Sequence, residues 1–389
     1  MMKINRKIKP AGLYIHIPFC LKKCGYCDFL SFGGCSSRLQ EQYVEALKNE
    51  IGMYAGQGIK IDTVFIGGGT PSLLHENHIT EIMKAAEAAF CITEDAEITI
   101  EANPKTLNAD KLSVYRRAGI NRLSMGAQAM NDEMLEFMGR AHDRADFLEN
   151  FRQARQAGFD NINADLMFGI PGQTMEMWKD SLRQMIGLGP DHISFYSLQL
   201  EEGTEFARMY RNGEIDLPES ELDREMYHEG IRMLKTAGYN HYEISNCAKP
   251  GHECRHNLKY WDYDEYYAVG LGAHSFTYKS GRRCNVSDFE KYFELTGAGL
   301  LPQDEDMYEE ESLQDMMGEY VFTALRKLEG LSLDDFRETF GRDFHDVYSE
   351  QKPVLAEYAG KGLVIITDTH IALTVTGIDR SNEIMAEFV

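Results

Sequence analysis

Short apolar runs alternate with longer amphipathic stretches along most of the chain. The short runs are rich in β-branched and aromatic residues, which favours strands, and they lie at 13–17, 62–68, 96–102, 121–127, 162–169 and 192–200. In the longer stretches apolar residues recur at three- and four-residue steps, which predicts amphipathic helices, and these lie at 38–55, 76–90, 108–118, 144–157, 175–188 and 220–237. Repeated strand–helix alternation predicts parallel strands joined by right-handed crossovers, and therefore an α/β fold.

A polar or glycine-rich group follows nearly every predicted strand. A cysteine-rich segment follows the first strand and Gly67 to Thr70 follow the second, while Glu101, Gln128, Asp165 and Gln199 stand at the ends of later ones. In a parallel (β/α) barrel the active site lies at the carboxyl ends of the strands, because the loops that follow them open on one face. We therefore expect a parallel (β/α) barrel, full or partial, with its site on that face.

The pattern changes after about residue 300. The acidic stretch LPQDEDMYEEES, at 301–312, predicts a linker, and helical patterns follow it at 311–328, 332–340 and 350–361. Two short strand-like runs, LVII and IALTV, come next. Three helices and a two-stranded hairpin predict a small winged-helix-like α+β domain over 301–389, after a first domain over 1–300.

The charge balance argues against nucleic acid as a partner. The chain has 62 acidic residues against 40 Lys and Arg, a formal net charge of -22, and that field repels phosphate backbones. A packing or lid role is therefore expected for the winged-helix-like domain. The N-terminus lacks the apolar core of a signal peptide, and no run reaches the about 18 apolar residues that span a membrane. We expect a soluble, cytoplasmic protein.

Three of the 8 cysteines stand close together, in the segment YIHIPFCLKKCGYCDF at 14–29. Cys20, Cys24 and Cys27 have the spacing C-x3-C-x2-C. Structural zinc needs four protein ligands, and His16 is the nearest additional candidate. A [4Fe–4S] cluster can leave one iron open for a substrate, so three cysteines suffice. The spacing favours a cluster, with zinc or an incidental core grouping as the alternatives; the other cysteines are scattered (Cys35, Cys91, Cys247, Cys254 and Cys284).

The cysteine spacing, with an aromatic residue before the last cysteine, resembles the radical S-adenosylmethionine (SAM) superfamily. Seven segments in the same order are similar to the oxygen-independent coproporphyrinogen oxidase family: YIHIPFC, FIGGGTPS, ITIEANP, RLSMGAQAM, MGRAH, NADLMFGIPGQT and SFYSLQLEEGTE. The resemblance implies a partial barrel and a cluster held by the three cysteines. It also implies an open iron chelated by the amino and carboxylate groups of SAM, whose reductive cleavage releases methionine and a 5′-deoxyadenosyl radical.

The resemblance further implies which residues contact SAM. Glycines at 68 and 69 let the backbone approach a ligand closely, Asp165 suits ribose hydroxyls, and Arg140 suits a carboxylate. A tight turn, ordinary structural hydrogen bonds and strand packing are the alternative roles for these positions. The implied SAM residues are Tyr14, Tyr26, Gly68, Gly69, Thr70, Glu101, Gln128, Arg140 and Asp165.

A later segment, CRHNLKYWDYDEYYAVGLGAHSF at 254–276, resembles the haem-binding signature of the haem chaperones in this family. Its H-N-x-x-Y-W pattern comprises His256, Asn257, Tyr260 and Trp261. Imidazole is a good axial ligand of haem iron, and adjacent aromatic rings can stack on a porphyrin. Burial of this segment against the barrel is the alternative. Cys254 and His252 are further candidate ligands, and four basic residues nearby suit the haem propionates (Arg255, Lys259, Arg282 and Arg283).

Two features favour the haem-chaperone branch of the family over its enzymes. The coproporphyrinogen enzymes carry a further cysteine where this chain has Phe29, and only 13 residues precede Tyr14. The resemblance then implies a protein that binds haem and SAM and delivers haem to acceptor proteins, among them membrane respiratory components. Oxidative decarboxylation of coproporphyrinogen III is the alternative, and another radical SAM reaction such as a methylation has no local support. Enzymatic turnover and a homodimer stay open.

Overall fold

A sheet of eleven strands forms the centre of the molecule, which is described by a computed structural model over residues 9–307 and 311–389. The strands of the chain are β1 Ala11–Ile17, β2 Phe19–Cys20, β3 Phe32–Gly33, β4 Lys60–Gly68, β5 Cys91–Ala102, β6 Arg122–Gln128, β7 Asn161–Phe168, β8 His192–Ser197, β9 Asn240–Glu243, β10 Asn246–Ala248, β11 Tyr266–Val269, β12 His274–Thr277, β13 Gly281–Cys284, β14 Leu331–Ser332, β15 Val364–Ile366 and β16 His370–Leu373.

Helices connect most of these strands. They are α1 Ser37–Gly52, α2 Glu76–Ala89, α3 Ala109–Arg117, α4 Asp132–Phe137, α5 Arg144–Gln156, α6 Met175–Leu188, α7 Glu205–Arg211, α8 Ser220–Thr236, α9 Arg255–Trp261, α10 Phe289–Gly297, α11 Leu313–Ala324, α12 Leu333–Phe340, α13 Phe344–Val347, α14 Lys352–Gly360, α15 Val375–Ile378 and α16 Ser381–Met385. Short 3₁₀ turns lie at Pro71–Leu73, Glu305–Met307, Ser349–Gln351 and Ala386–Phe388.

The central sheet is mostly parallel and does not close. Its order is β13-β12-β11-β1-β4-β5-β6-β7-β8-β10-β9. The neighbours from β11 through β1 to β8 pair in parallel, and the outer strands at both edges pair antiparallel. Within the described residues β13 and β9 stand at opposite ends of this order. The predicted α/β fold with a partial parallel barrel is therefore confirmed, and the complete barrel is not found.

Two kinds of residue alternate along the central strands. On β5, Ile98 and Ile100 are buried in the apolar core, whereas Glu97, Thr99 and Glu101 occupy the intervening positions. Successive strand residues point to opposite faces of a sheet, so the three polar residues share one face. The helices cover the apolar face, and the curved inner face collects polar side chains, which must find partners there.

Helix ends follow local sequence signals. The Thr174 side chain accepts a hydrogen bond from Met177 N at the start of α6, and Gly189 ends the helix in the left-handed conformation at φ 67°. The Asp143 and Asp146 side chains form a reciprocal capping box at α5. These signals explain why the predicted bounds of both helices agree with the structure to within one residue.

The C-terminal part contains the predicted helices and hairpin, with one addition. Strands β15 and β16 form the hairpin, and β14 joins its edge to give a three-stranded antiparallel sheet in the order β14-β16-β15. A strand of two residues, Leu331–Ser332, carries no periodicity and escapes prediction. Part of the predicted linker, 308–310, lies outside the described residues. Within the described residues, no helix combines the length and the apolar character needed to cross a bilayer.

Candidate functional site

A cavity of about 330 Å³ opens at the carboxyl ends of the parallel strands. The structure brings nearly all of the predicted cluster and SAM residues together around it, since its lining includes Cys20, Cys24, Cys27, Tyr26, Gly68, Gly69, Thr70, Glu101, Gln128, Arg140 and Asp165. Tyr14 is not among the lining residues, and its hydroxyl lies 3.0 Å from His16 Nδ1. Asn257 of the predicted haem segment contributes to the lining. The loops that follow parallel strands meet on one face, which is why residues so distant in sequence converge here.

Backbone hydrogen bonds hold the cysteine loop at its ends and at its centre. Strands β2 and β3 pair in parallel, with Cys20 opposite Gly33. Gly25 N donates to Met138 O at 3.2 Å, and Gly25 O accepts from Phe206 N at 2.9 Å. Its three cysteines are half-buried free thiols. Burial raises the pKa of the Cys20 and Cys27 thiols.

The additional candidate zinc ligand beside this loop is engaged within the protein. Across residues 9–307 and 311–389, no three His, Cys, Asp or Glu side chains are arranged to hold a single metal ion. His16, the additional candidate ligand, already uses both ring nitrogens: Nε2 lies 2.9 Å from Leu30 O and Nδ1 lies 3.0 Å from Tyr14 OH. A carbonyl only accepts, so Nε2 carries the proton and Nδ1 accepts from the tyrosine. The donor set of three thiols beside a cavity fits the [4Fe–4S] cluster of a radical SAM protein.

The glycine-rich turn after β4 depends on Gly68 and Gly69. Gly68 has φ 111°, and a Cβ there would lie 2.5 Å from the His16 ring. A Cβ on Gly69 would lie 2.7 Å from Phe19 O. The turn is fixed by Gly69 N donating to Ile17 O at 2.8 Å and Thr70 N donating to Phe19 O at 2.7 Å. The turn thus lies directly against the cysteine loop, and Thr70 Oγ1 is 3.6 Å from Cys20 Sγ.

Glu101 is the penultimate residue of β5 and lines the cavity. Its Oε2 accepts a hydrogen bond from Gly68 N at 3.1 Å. Burial, together with the nearby carboxyl of Asp165, raises the pKa of Glu101 to about 8, against the lowering effect of the Gly68 amide. A buried acid of this kind is stabilised by a cationic partner. A positively charged ligand group beside Glu101 would supply one.

Arg140 reaches from the segment after α4 to the cysteine loop. Its Nη2 donates to Gly126 O at 2.9 Å and to Asn103 Oδ1 at 3.0 Å. Its Nη1 lies 3.5 Å from Tyr26 OH and 3.6 Å from Cys24 Sγ. This fixed guanidinium forms part of the cavity lining, where an anionic group would pair with its positive charge.

Asp165 and Gln128 complete the cavity wall. Asn163 Nδ2 donates to Asp165 Oδ1 at 2.7 Å, and burial raises the pKa of this carboxyl. Gln128 has φ 63°, in the left-handed region that a non-glycine residue seldom adopts, and its Oε1 accepts from Tyr196 OH at 3.1 Å. Such strained positions concentrate at functional sites.

Several lining residues were not identified from the sequence, and among the polar ones are Asn103, Ser194, Tyr196 and Asn246. Asn103 stands in the segment ITIEANP and Tyr196 in SFYSLQLEEGTE, both of which were singled out for other positions. The two-residue period of β8 could have found Ser194 and Tyr196, since both share the inner face with His192. Asn246 follows a turn in the antiparallel edge, where no such periodicity leads to it.

The predicted haem residues on α9 do not share one surface. His256 is 1% exposed, and its Nδ1 and Nε2 lie 2.9 Å from Thr63 Oγ1 and 2.9 Å from Tyr260 OH. Burial lowers the pKa of His256 to about 3. Asn257 faces the cavity, whereas Trp261 stacks on Arg326 of the C-terminal part, 4.4 Å from the ring centroid. Ligation of haem iron by His256 stays a prediction, and in this arrangement the ring has no free nitrogen.

The other candidates around this segment are engaged as well. Cys254 is fully buried. Lys259 pairs with Asp62 at 2.7 Å, and Arg255 pairs with the same carboxylate at 3.6 Å. Arg282 forms an ion pair with Glu319 and a longer one with Glu311, and the guanidinium of Arg283 contacts the carbonyl oxygen of its neighbour. His252 is half-buried, and its backbone N–H donates to Lys249 O at 3.0 Å.

The fold and the cysteine loop define the class of protein. Residues 14–185 match the Radical SAM superfamily, and residues 312–379 match the HemN C-terminal domain. The coproporphyrinogen III oxidase HemN of Escherichia coli, described as a radical SAM enzyme, superposes with a TM-score of 0.85 at 26% identity, covering 99% of this chain and 91% of that one.

Relatives define the family within that class. The haem chaperone HemW of Bacillus subtilis is 37% identical over 379 residues, which is 97% of this chain and 98% of that protein. The HemW of Escherichia coli is 40% identical over 280 residues, 71% of this chain and 73% of that protein. The chain belongs to the HemW family of radical SAM proteins.

Proposed function

We propose that this protein is a haem chaperone that binds haem and a SAM-binding [4Fe–4S] cluster and delivers haem to haem-dependent proteins. The observation that carries the proposal is the likeness to proteins named haem chaperones over nearly the whole chain. The cavity at the strand ends supports it, because three thiols, a glycine turn and a buried acid line the same space. We further propose cytoplasmic location, acceptors that include membrane respiratory proteins, and a homodimer as one assembly.

The cluster is proposed to be held by Cys20, Cys24 and Cys27, with its fourth iron open towards the cavity. When bound, the cluster supplies an electron and an open coordination position. The chain contributes half-buried thiols and a loop fixed by its own backbone hydrogen bonds, which position the cluster and limit its contact with water. Arg140 lies beside Cys24 and adds a positive charge next to a thiolate.

SAM is proposed to lie between the cysteine loop and the strand ends. The amino group would meet Glu101 and the turn at Gly68, whose geometry leaves room for no side chain. The carboxylate would meet Arg140, and the ribose hydroxyls would meet Asp165. Each pairing places a ligand charge or hydroxyl against a buried group of complementary chemistry, which lowers the cost of burying both.

A second candidate is the oxidative decarboxylation of coproporphyrinogen III. The likeness of the fold to Escherichia coli HemN favours it. Phe29 argues against it, because the enzymes of that branch have a cysteine there. Phe29 is 63% exposed beside the cysteine loop and provides no thiol. We therefore place the chaperone function first.

Haem binding and transfer by the anaerobically reconstituted full chain test the proposal. We expect one haem per chain in a visible-absorbance titration, and transfer of that haem to an apo haem protein. Coproporphyrinogen III, SAM and a reductant should yield no protoporphyrinogen. Absence of haem binding, or product formation at enzyme-like rates, would overturn the proposal.

The assignment of the cluster ligands is tested by comparing a cysteine of the loop with a cysteine outside the cavity, both in anaerobically reconstituted protein. Cys24→Ala should abolish the broad visible absorbance of the reconstituted cluster. Cys35→Ala should retain it, because the half-buried Cys35 thiol donates to Phe32 O at 3.7 Å instead of lining the cavity. An intact spectrum in the Cys24 variant would refute this ligand set.

A further inference from the structure

Helix α9 closes the end of the barrel opposite the cysteine loop. The Glu97 carboxylate, at the start of the paired part of β5, accepts hydrogen bonds from Arg255 N at 3.2 Å and His256 N at 3.1 Å. Lys259 Nζ pairs with Asp62 at 2.7 Å, next to the start of β4. The helix is thus bound to the amino ends of strands whose carboxyl ends carry the cavity, and Asn257 forms part of the cavity floor.

The His256 ring is held on three sides within this floor. Thr63 Oγ1 and Tyr260 OH each lie 2.9 Å from one ring nitrogen. The Phe65 ring stacks on the imidazole with centroids 5.3 Å apart and an interplanar angle of 28°. Burial, together with the Lys259 and Arg122 charges, lowers the pKa of His256, so the ring is neutral with one donor and one acceptor. Both are used within the protein.

A column of rings continues from His256 to the glycine turn and the cysteine loop. Phe65 stacks on Tyr14 with centroids 6.3 Å apart, and Tyr14 OH bonds His16, which in turn bonds the carbonyl of Leu30 after the last cysteine. A Cβ on Gly67 would meet Phe65 at 2.9 Å. Phe65 therefore packs against both the His256 ring and the glycine turn.

We infer that His256 and Tyr260 are positioning residues of the SAM site, on which they act through the packed rings of Phe65 and Tyr14. On this inference, His256 is not a haem ligand. The inference rests on the proposed SAM cavity. The four residues of the H-N-x-x-Y-W pattern then have distinct roles: His256 and Tyr260 form the floor, Asn257 faces the ligand, and Trp261 joins the floor to the C-terminal part through Arg326.

Two conservative variants separate positioning from ligation. Tyr260→Phe removes the hydroxyl from Nε2 and keeps the ring, and Thr63→Val removes the partner of Nδ1 at nearly constant volume. We expect either variant to weaken SAM binding to the cluster-loaded chain by about threefold or more, measured by equilibrium dialysis, while the haem stoichiometry and spectrum stay those of the wild type. His256→Gln should behave in the same way.

A control of the same chemistry is His370→Gln, at an exposed position of β16 in the C-terminal sheet, where SAM affinity should not change. Iron content and the midpoint of thermal unfolding establish that each variant folds and carries its cluster. Loss of the haem spectrum in His256→Gln, or wild-type SAM affinity in both Tyr260→Phe and Thr63→Val, would overturn the inference. Failure of the wild-type chain to bind SAM would instead overturn the proposed SAM site.

Discussion

Glu101 is a carboxyl group whose surroundings favour its protonated form until a ligand arrives. Burial and the neighbouring Asp165 raise its pKa to about 8, and the Gly68 amide opposes them only partly. A cation placed beside it would favour the ionised form and gain an ion pair in a site with little water. The energetic cost of burying this acid in the free protein is thereby recovered when the proposed amino group binds.

Glu101→Gln should stabilise the cofactor-free chain increasingly as the pH rises from about 5 to about 8. The unfolded carboxyl ionises near its ordinary pKa of 4.5, whereas the folded one keeps its proton up to about 8, so wild-type stability falls between these values. The glutamine carries no titrating proton. The gain should grow by on the order of 3 kcal/mol over this pH range, because each pKa unit between the folded and unfolded states corresponds to about 1.4 kcal/mol. Urea unfolding at both pH values measures it, and a pH-independent difference would contradict it.

Single residues of the site differed in how far the sequence could reveal them. Glu101, Arg140 and Asp165 were found because family segments mark them, and the structure places all three around one cavity. The roles of His16 could not be foreseen, since its ring nitrogens bond Tyr14 and Leu30 in a geometry set by the closed loop. The sequence alone offers His16 as an available metal ligand, whereas in the structure both of its ring nitrogens already have hydrogen-bond partners.

At the scale of elements, the turn after β4 packs against the cysteine loop and fixes its position relative to the sheet. Gly68 adopts φ 111° because the chain must pass the His16 ring, and the next two residues donate backbone hydrogen bonds to Ile17 and Phe19. A side chain here would strain the backbone and collide with a ring that is fixed on both sides. The position therefore requires glycine for two separate reasons.

Gly68→Ala should lower the free energy of unfolding by about 2 kcal/mol or more and reduce cluster loading, because the loop and the turn are packed together. The matched control is Gly58→Ala, at φ 68° with no atom within 4 Å of an added Cβ. That variant carries the conformational strain without the collision and should lose about 1 kcal/mol with full cluster loading. Urea unfolding and iron content measure both; equal losses would refute the collision.

The elements that the sequence predicted well are those with strong periodicity and caps. Helix α6 was predicted at 175–188 and runs over Met175–Leu188. Strand β5 is predicted at 96–102 but begins at Cys91. Its first five residues are exposed or half-buried, and a register shift separates them from the main pairing with β4. Helix α9 is a seven-residue element without an amphipathic period, and only its contacts with Glu97 and Asp62 explain its position.

At the scale of the whole molecule, the C-terminal part is attached to the barrel by backbone and side-chain contacts. Ile244 N donates to Arg326 O at 3.2 Å, and Leu328 N donates to Tyr242 O at 3.1 Å. Lys327 between them pairs with Asp262, which follows α9 directly, at 2.5 Å. Helix α9 and the C-terminal part thus meet at the same contacts. A change in the position of one would alter the packing of the other.

Lys327→Ala should weaken this attachment. The Lys327 side chain is 11% exposed and its partner Asp262 is 31% exposed, so we expect a loss of about 1 kcal/mol in unfolding free energy and faster limited proteolysis between the two parts. Lys361→Ala, which removes an exposed pair within one helix end, serves as the control and should cost less than about 0.5 kcal/mol. Equal losses in the two variants would show that the Lys327–Asp262 pair stabilises the protein no more than an exposed ion pair does.

The sequence by itself determined the α/β class, the partial barrel, the cysteine loop and the family, because these depend on periodicity and on motifs that are local along the chain. Only the tertiary structure decided whether the predicted haem residues are buried and hydrogen-bonded within the protein. The Thr63 and His256 side chains are 193 positions apart, and their hydrogen bond exists because the barrel brings its amino ends against α9. A spacing pattern identifies a histidine that can bind iron, but burial and neighbouring hydroxyls determine whether its nitrogens are free to do so.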